Sequence, residues 1–416
     1  MITLIEALNF RCLRNVSQEL EPFHVLVGPN ASGKTTFLDV VAFLGSLVSD
    51  SLEAAVTDRT QDLKDLLWRG RGEFFELAIE AQIPEERKLQ IPGSPFDTIR
   101  YEVSIGSTNG PEEVGIRAER VLLKTRGRRS LRQRELFPQD AGARQSLLSA
   151  KGTAGQKTIV NKVFAGNDNF YDETGKGWDH SFKLGPRRSA LANLPEDESK
   201  FPVSTWLKGL LSQGVSRLML NSLALRKASA PLYRQGFSPD GSNLPWVVHG
   251  LEKRNPATVG RWIKHLQTAL PDLTGIRTVE RADDRHRYLI LDYQGEISVP
   301  SWVASDGTLR LLALTLPAYI PDFEGVYLIE EPENGIHPRA VETLFGSLSS
   351  VYGAQILLAS HSPVILSLAE TESVLCFART KLGGTDIVRG DYHPALEHWK
   401  GETNLGTLFA AGVLGQ

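Results

Sequence analysis

The stretch Phe23-His24-Val25-Leu26-Val27-Gly28-Pro29-Asn30-Ala31-Ser32-Gly33-Lys34-Thr35-Thr36 decides how this sequence folds. Its first five residues are a short, mostly apolar run that stops at Gly28-Pro29-Asn30, which is how a buried parallel strand ends at a loop. Beyond the loop, Phe37 to Val48 is apolar almost all round, interrupted by Asp39, Gly45 and Ser46. That spacing predicts a helix with few faces left for water. Two glycines, four free positions, then lysine and a hydroxyl residue form the phosphate-loop spacing. In such a loop, backbone N–H groups and the start of the following helix face one phosphate, Lys34 adds a point charge on the β/γ oxygens, and Thr35 offers a hydroxyl to Mg²⁺. The plain alternative is a glycine turn with a surface lysine.

A second stretch, Val326-Tyr327-Leu328-Ile329-Glu330-Glu331-Pro332-Glu333, is an apolar strand that ends in carboxylates. Acids at the C-terminal end of a buried strand enter the crevice where open α/β sheets bind ligands. Glu330 is the candidate Mg²⁺ ligand, directly or through water. Glu331 is the candidate base that orients and deprotonates an attacking water, and Glu333 is a third acid within reach. The alternative is a solvated acidic turn.

Two further segments carry weaker signals. Ser305-Asp306-Gly307-Thr308 precedes the helical run Leu309 to Leu316, and is either an ordinary capped helix start or an anion site with the Ser305 hydroxyl and Gly307 N–H facing a phosphate. Leu357-Leu358-Ala359-Ser360-His361-Ser362-Pro363 places a histidine just past a buried strand, where a structural hydrogen bond is the simpler reading.

The chain has 416 residues, long enough for one large or two ordinary domains without a disulfide staple. Hydrophobic residues at 41% and charged residues at 23% exclude a disordered tail protein, and no stretch nears the ~18 apolar residues of a membrane span. The first ten residues do not read as a secretory leader, so a cytoplasmic chain is expected. Cys12 and Cys376 exclude a multi-Cys zinc site and are expected reduced. With a net charge of -3, any nucleic-acid partner must be held by a local patch.

Outward from the loop, Ile2 to Phe10 reads as an opening strand or hairpin, and residues 1–73 as the N-terminal part of a nucleotide-binding core. Residues 74–150 form an antiparallel β lobe, with strands at Phe75 to Ile79, Ile99 to Ile105 and Val114 to Leu123. Residues 151–295 form an inserted region, loop-rich to about 200 and helical from about 203 to 270. Residues 296–416 return to an α/β rhythm, with buried strands near 326, 355 and 374. The fold class is α/β, and one site built from Lys34 and Glu330 requires the middle of the chain to be an insertion.

With its four elements in this order, the sequence resembles the ABC-type ATPase heads of the SMC, RecF and OLD-nuclease class, among the AAA-type ATPases of bacterial phage-defence operons. The resemblance covers residues 1 to 50 and 296 to 380 and implies a P-loop NTPase fold. It makes Gly28 to Thr36 the Walker A loop, Tyr327 to Glu331 Walker B, Ser305-Asp306-Gly307 the signature segment and His361 the switch histidine that senses the γ-phosphate. It implies ATP and Mg²⁺ as ligands, ATP hydrolysis, and a head-to-tail homodimer in which the signature segment completes the other subunit's site. Walker B here ends Glu330-Glu331 where the family has Asp-Glu. Slow turnover is expected from the departure at Glu330, one methylene longer than the family's aspartate. Gln61 is the candidate for the Q-loop glutamine, and Arg11 for a nucleotide contact.

Only 55 residues follow His361, too few for the nuclease domain of OLD proteins, so the expectation is an ATPase that controls a separately encoded effector in anti-phage defence. A RecF-like repair ATPase or a transporter motor are the alternatives. The run Arg120, Lys124, Arg126, Arg128, Arg129, Arg132, Arg134 holds no acid up to Arg134 and is either a solvated loop or a strip for non-specific duplex nucleic acid.

Overall fold

The computed structural model describes residues 1–108, 113–127, 134–140, 142, 144–150, 152–175, 180–231, 236–321, 323–396 and 404–414. Along the chain, the hairpin β1 (Ile2–Phe10) and β2 (Leu13–Glu19) precedes β3 (Phe23–Val27) and the helix α1 (Lys34–Ser49). Then come β4 (Phe74–Gln82), β5 (Thr98–Ser107), β6 (Val114–Lys124), β7 (Gln156–Val163), β8 (Asp168–Phe170) and β9 (His180–Phe182). After the helix Pro202–Gln213 lie β10 (Val215–Leu218) and the helices Leu244–Arg254 and Pro256–Leu266, then β11 (Leu273–Glu280), β12 (Arg287–Tyr293) and β13 (Ile297–Pro300). The helix Asp306–Thr315 leads to β14 (Gly325–Glu330), β15 (Ala354–Ala359), β16 (Val374–Arg379) and β17 (Thr385–Arg389).

Eight strands form an antiparallel sheet in the order β2-β1-β4-β5-β6-β7-β8-β9, so the first hairpin belongs to this sheet and the loop-rich segment after 151 extends it. Six strands form the second sheet, β10-β14-β15-β3-β16-β17, parallel except at its last pair. A third sheet is the meander β11-β12-β13. One edge of the parallel sheet, β10, comes from the stretch read as an insertion. Four residues between two helical stretches carry too weak a periodic signal to reveal it.

The all-round apolar character of α1 has a physical cause: it is sandwiched. Phe37, Val40, Phe43 and Leu44 share one core with Phe10 and Phe75 of the antiparallel sheet and with Leu26, Leu328 and Phe377 of the parallel sheet. Phe43 meets Phe10 and Phe75 with ring centroids at 5.9 and 5.6 Å, while Phe37 meets Phe377 at 5.5 Å. Each such ring contributes about 1.5–3 kcal/mol by leaving water. Side chains alternate along the parallel strands, so Val326 and Leu328 face α1, whereas Tyr327 and Ile329 join Val25, Leu358 and Cys376 in a second core under the helices Asp306–Thr315 and Pro338–Ser349.

The antiparallel sheet also buries charge. Arg100 on β5 pairs with Glu6 at 2.7 Å, Glu80 at 3.1 Å and Glu102 at 2.8 Å. Arg120 and Lys124 of the basic run are engaged here as well, with Glu102 at 3.7 Å and Glu80 at 2.7 Å, and Arg134 binds Asp386 at 2.6 Å. Arg128, Arg129 and Arg132 lie outside the described residues. Among the described residues, no helix is long and apolar enough to cross a membrane.

Candidate functional site

The C-terminal ends of β3, β14 and β15 open on a cleft of about 690 Å³, the position in which an open parallel sheet holds its ligand. Residues Asn30 to Thr36 form one side, Glu330, Glu331 and His361 another, and Arg11, Cys12, Leu67, Arg69 and Arg379 are among those that complete it.

The loop's shape is fixed by its glycines. Gly28 and Gly33 have φ of +148° and +105°, which side-chain-bearing residues rarely adopt. A Cβ on Gly28 would lie 2.2 Å from the Phe377 carbonyl oxygen, and one on Gly33 would lie 2.3 Å from the Thr385 hydroxyl. The loop is therefore pressed against β16 and β17 with room for backbone alone. Thr385 Oγ1 donates to the Ser32 carbonyl at 2.8 Å. No side chain caps α1, whose first N–H groups remain directed at the cleft.

Lys34 curls back across the loop, its Nζ donating to the carbonyls of Gly28 at 2.7 Å and Pro29 at 3.0 Å. Burial pushes its ammonium down to about 8, against the opposing pull of Glu331 and Glu330. Thr35 Oγ1 donates to Glu330 Oε2 at 2.5 Å, joining two segments 295 positions apart. Glu330 shares the α1 side of the sheet with Val326 and Leu328, so the alternation along β14 aims it at the start of α1. Its second oxygen accepts from Arg217 on β10 at 2.5 Å. Arg217 escaped the sequence reading because its strand did.

Glu331 leaves the sheet with φ of +46°, its N–H donating to the Ala359 carbonyl at 2.8 Å and its exposed carboxylate accepting from Asn334. Glu333 is not a third acid of the cleft. Its carboxylate turns to the loop after β15, where it accepts from Ser360 Oγ at 2.7 Å and from the His361 N–H at 3.0 Å. That bond fixes the backbone from which His361 enters the cleft. Burial, then the charge of Lys34, hold the His361 imidazole below its ordinary pKa, with Glu331 and Glu333 opposing.

Ser305 caps the helix Asp306–Thr315, its Oγ accepting from the Thr308 N–H at 3.1 Å, and Asp306 pairs with Arg226 at 2.7 Å. This segment does not line the cleft of its own chain. Arg11 does line it while pairing with Asp39 at 3.1 Å. Gln61 is exposed and stands outside the lining; the wall nearby is built by Lys64, Asp65, Leu67, Arg69 and Gly70. A local sequence pattern gave no signal for that wall.

The phosphate-spaced loop and the carboxylate end of β14 meet at the mouth of a mixed sheet, with an antiparallel sheet packed over α1, which is the arrangement of a P-loop NTPase fold. The chain belongs to the family described as "AAA domain, putative AbiEii toxin, Type IV TA system", whose model matches residues 23–367. Among solved structures it is similar to the Smc head bound to the C-terminal winged-helix domain of ScpA, with a TM-score of 0.53 and 14% identity over 93% of this chain and 96% of that one. It is also similar to an Smc head with an extended coiled coil bound to the C-terminal domain of ScpA derived from Pyrococcus furiosus, with a TM-score of 0.51 and 13% identity over 93% and 95%. These likenesses establish the fold. No curated protein matches the sequence.

Proposed function

We propose that this chain is a cytoplasmic ATP-hydrolysing switch that closes into a head-to-tail homodimer on ATP and controls a separately encoded effector in anti-phage defence. The observation that carries the reading is the 2.5 Å bond between Thr35 and Glu330, which supports it by bringing the Gly28–Thr36 loop and the end of β14 to one cleft with Glu331 and His361.

The residues fit a Mg²⁺–triphosphate. The Ser32 hydroxyl is buried without a partner among the described residues, and Gly28 and Gly33 let the loop lay its backbone close against β16 and β17 while it curls around the cleft. Among the described residues no three His, Cys, Asp or Glu side chains gather into a metal site, which accords with a cation that arrives on phosphates and takes one or two protein oxygens. Thr35 and Glu330 would hold Mg²⁺, which when bound neutralises charge on the β- and γ-phosphate oxygens.

The chain's own groups do the rest. The loop from Gly28 to Thr36 binds phosphate through backbone N–H groups and the start of α1. Lys34 exchanges its two carbonyl partners for phosphate oxygens and stabilises the charge that develops during transfer. Glu331, exposed at the cleft, orients water and takes its proton, and His361 contacts the γ-phosphate from a backbone held by Glu333. Ser305, Asp306 and Gly307 of a second copy complete the site. That the matched Smc heads carry a domain of ScpA supports a separate partner on a head of this fold.

The test is the Glu331→Gln chain, sized with and without ATP and assayed for turnover. Retained ATP, a dimer only with ATP, and turnover reduced at least about 100-fold are expected. Unchanged turnover refutes the base, and an ATP-insensitive monomer refutes the switch.

A further inference from the structure

We infer that Arg217 is a positioning residue for Glu330: its guanidinium fixes which carboxylate oxygen faces Thr35 and thereby sets how much Mg²⁺ the cleft requires. The inference rests on the cleft being a Mg²⁺–nucleotide site.

Glu330 stands where the family pattern has aspartate. The extra methylene adds a torsion, so the carboxylate needs an outside constraint to present one oxygen reproducibly. The structure supplies it from the neighbouring strand. In the parallel pairing of β10 with β14, Arg217 lies opposite Leu328. Glu330 is two residues further along, on the same face, so the two side chains form a diagonal cross-strand pair. Arg217 Nη2 donates to Oε1 at 2.5 Å while Thr35 Oγ1 donates to Oε2 at 2.5 Å. Each oxygen has its own anchor, and the one left toward α1 is the one beside the hydroxyl that a phosphate-bound cation would share.

The guanidinium also offsets part of the negative charge of a carboxylate that is only 25% exposed. That charge alone would weaken metal binding, so orientation and charge predict opposite outcomes when Arg217 is removed. Outer-sphere partners that orient a ligand typically govern metal affinity by about 10- to 100-fold. Orientation is therefore the effect expected to win.

The experiment titrates Mg²⁺ against binding of a fluorescent, non-hydrolysable ATP analogue to the full chain, for wild type, Arg217→Ala, Arg217→Lys, Glu330→Asp and the Arg217→Ala/Glu330→Asp double variant. Arg217→Ala is expected to raise the Mg²⁺ concentration for half-maximal binding about tenfold, with the affinity in EDTA and the metal-free unfolding midpoint unchanged. Arg217→Lys, which keeps the charge and loses the planar fork, falls between. In the Glu330→Asp background, where the shortened carboxylate no longer reaches, Arg217→Ala adds nothing. A lowered or unchanged Mg²⁺ requirement, a loss that persists in EDTA, or full additivity with Glu330→Asp overturns the assignment. A wild-type chain that binds no analogue at any Mg²⁺ concentration overturns the nucleotide reading itself.

Discussion

Thr385 and Ser32 are joined by a 2.8 Å hydrogen bond across 353 positions, hydroxyl to main-chain carbonyl, so the last strand of the parallel sheet holds the phosphate loop from outside. Replacing Thr385 by valine keeps the volume and removes the donor. A loss of about 1 kcal/mol in urea unfolding is expected, together with a several-fold weaker hold on an ATP analogue. Thr385→Ser restores both. Unchanged affinity in the valine variant would mean that the loop keeps its shape without this anchor.

Lys34 provides a pH signature. In the free protein burial lowers its pKa from 10.5 to about 8, so above pH 8 the folded chain binds fewer protons there than the unfolded chain. The unfavourable contribution of the buried ammonium is present below pH 8 and is relieved as pH rises toward 10.5. Nucleotide binding should run the other way, because phosphate needs the charged form. Affinity for the analogue, measured by fluorescence, is expected to be level up to about pH 7.5 and to fall about tenfold per unit above 8. Lys34→Arg, charged throughout, should show no break in that window.

Arg100 tests the buried charge of the antiparallel sheet. Burial raises the Glu6 pKa, but the Arg100 guanidinium and the Ser17 hydroxyl overcome this and hold it at about 2, below its ordinary 4.5. The stabilisation from Glu6 is therefore complete above pH 4.5 and lost as pH falls toward 2. Arg100→Met leaves Glu6, Glu80 and Glu102 without their shared cation, and denaturant unfolding at pH 7 should show a loss of about 3–5 kcal/mol. The deficit should narrow at pH 4.5, where Glu6, no longer held down by the Arg100 guanidinium, takes up its proton. An equal deficit at both values would assign the loss to packing.

Sequence made the short-range parts legible. Phe23 to Val48 declared strand, loop and helix because that unit is specified by neighbours along the chain, and Val326 to Glu331 did the same. The fold class followed, and the family match and the Smc-head likeness agree with it. What escaped depends on contacts distant in sequence. Arg217 acquires meaning only when four residues of β10 pair with β14, and Thr385 only when β17 folds under the loop. Glu333 was read as an acid of the cleft because its spacing from Glu331 says nothing about direction; Ser360 and the His361 amide decide where it points. The wall from Lys64 to Gly70 carries no motif, since a surface that closes a cleft needs shape and not one residue type at one spacing.

The order in which the parallel sheet is assembled constrains how the chain matures. β3 lies between β15 and β16, which the ribosome makes roughly 330 residues later. Until they emerge, one flank of the greasy helix that follows β3 has no lid, and the nascent polypeptide carries a sticky, half-finished layer. Closing so long a loop is slow and invites aggregation. The expected consequence of building one pocket from two ends is a soluble yield that falls when translation stops before residue 379.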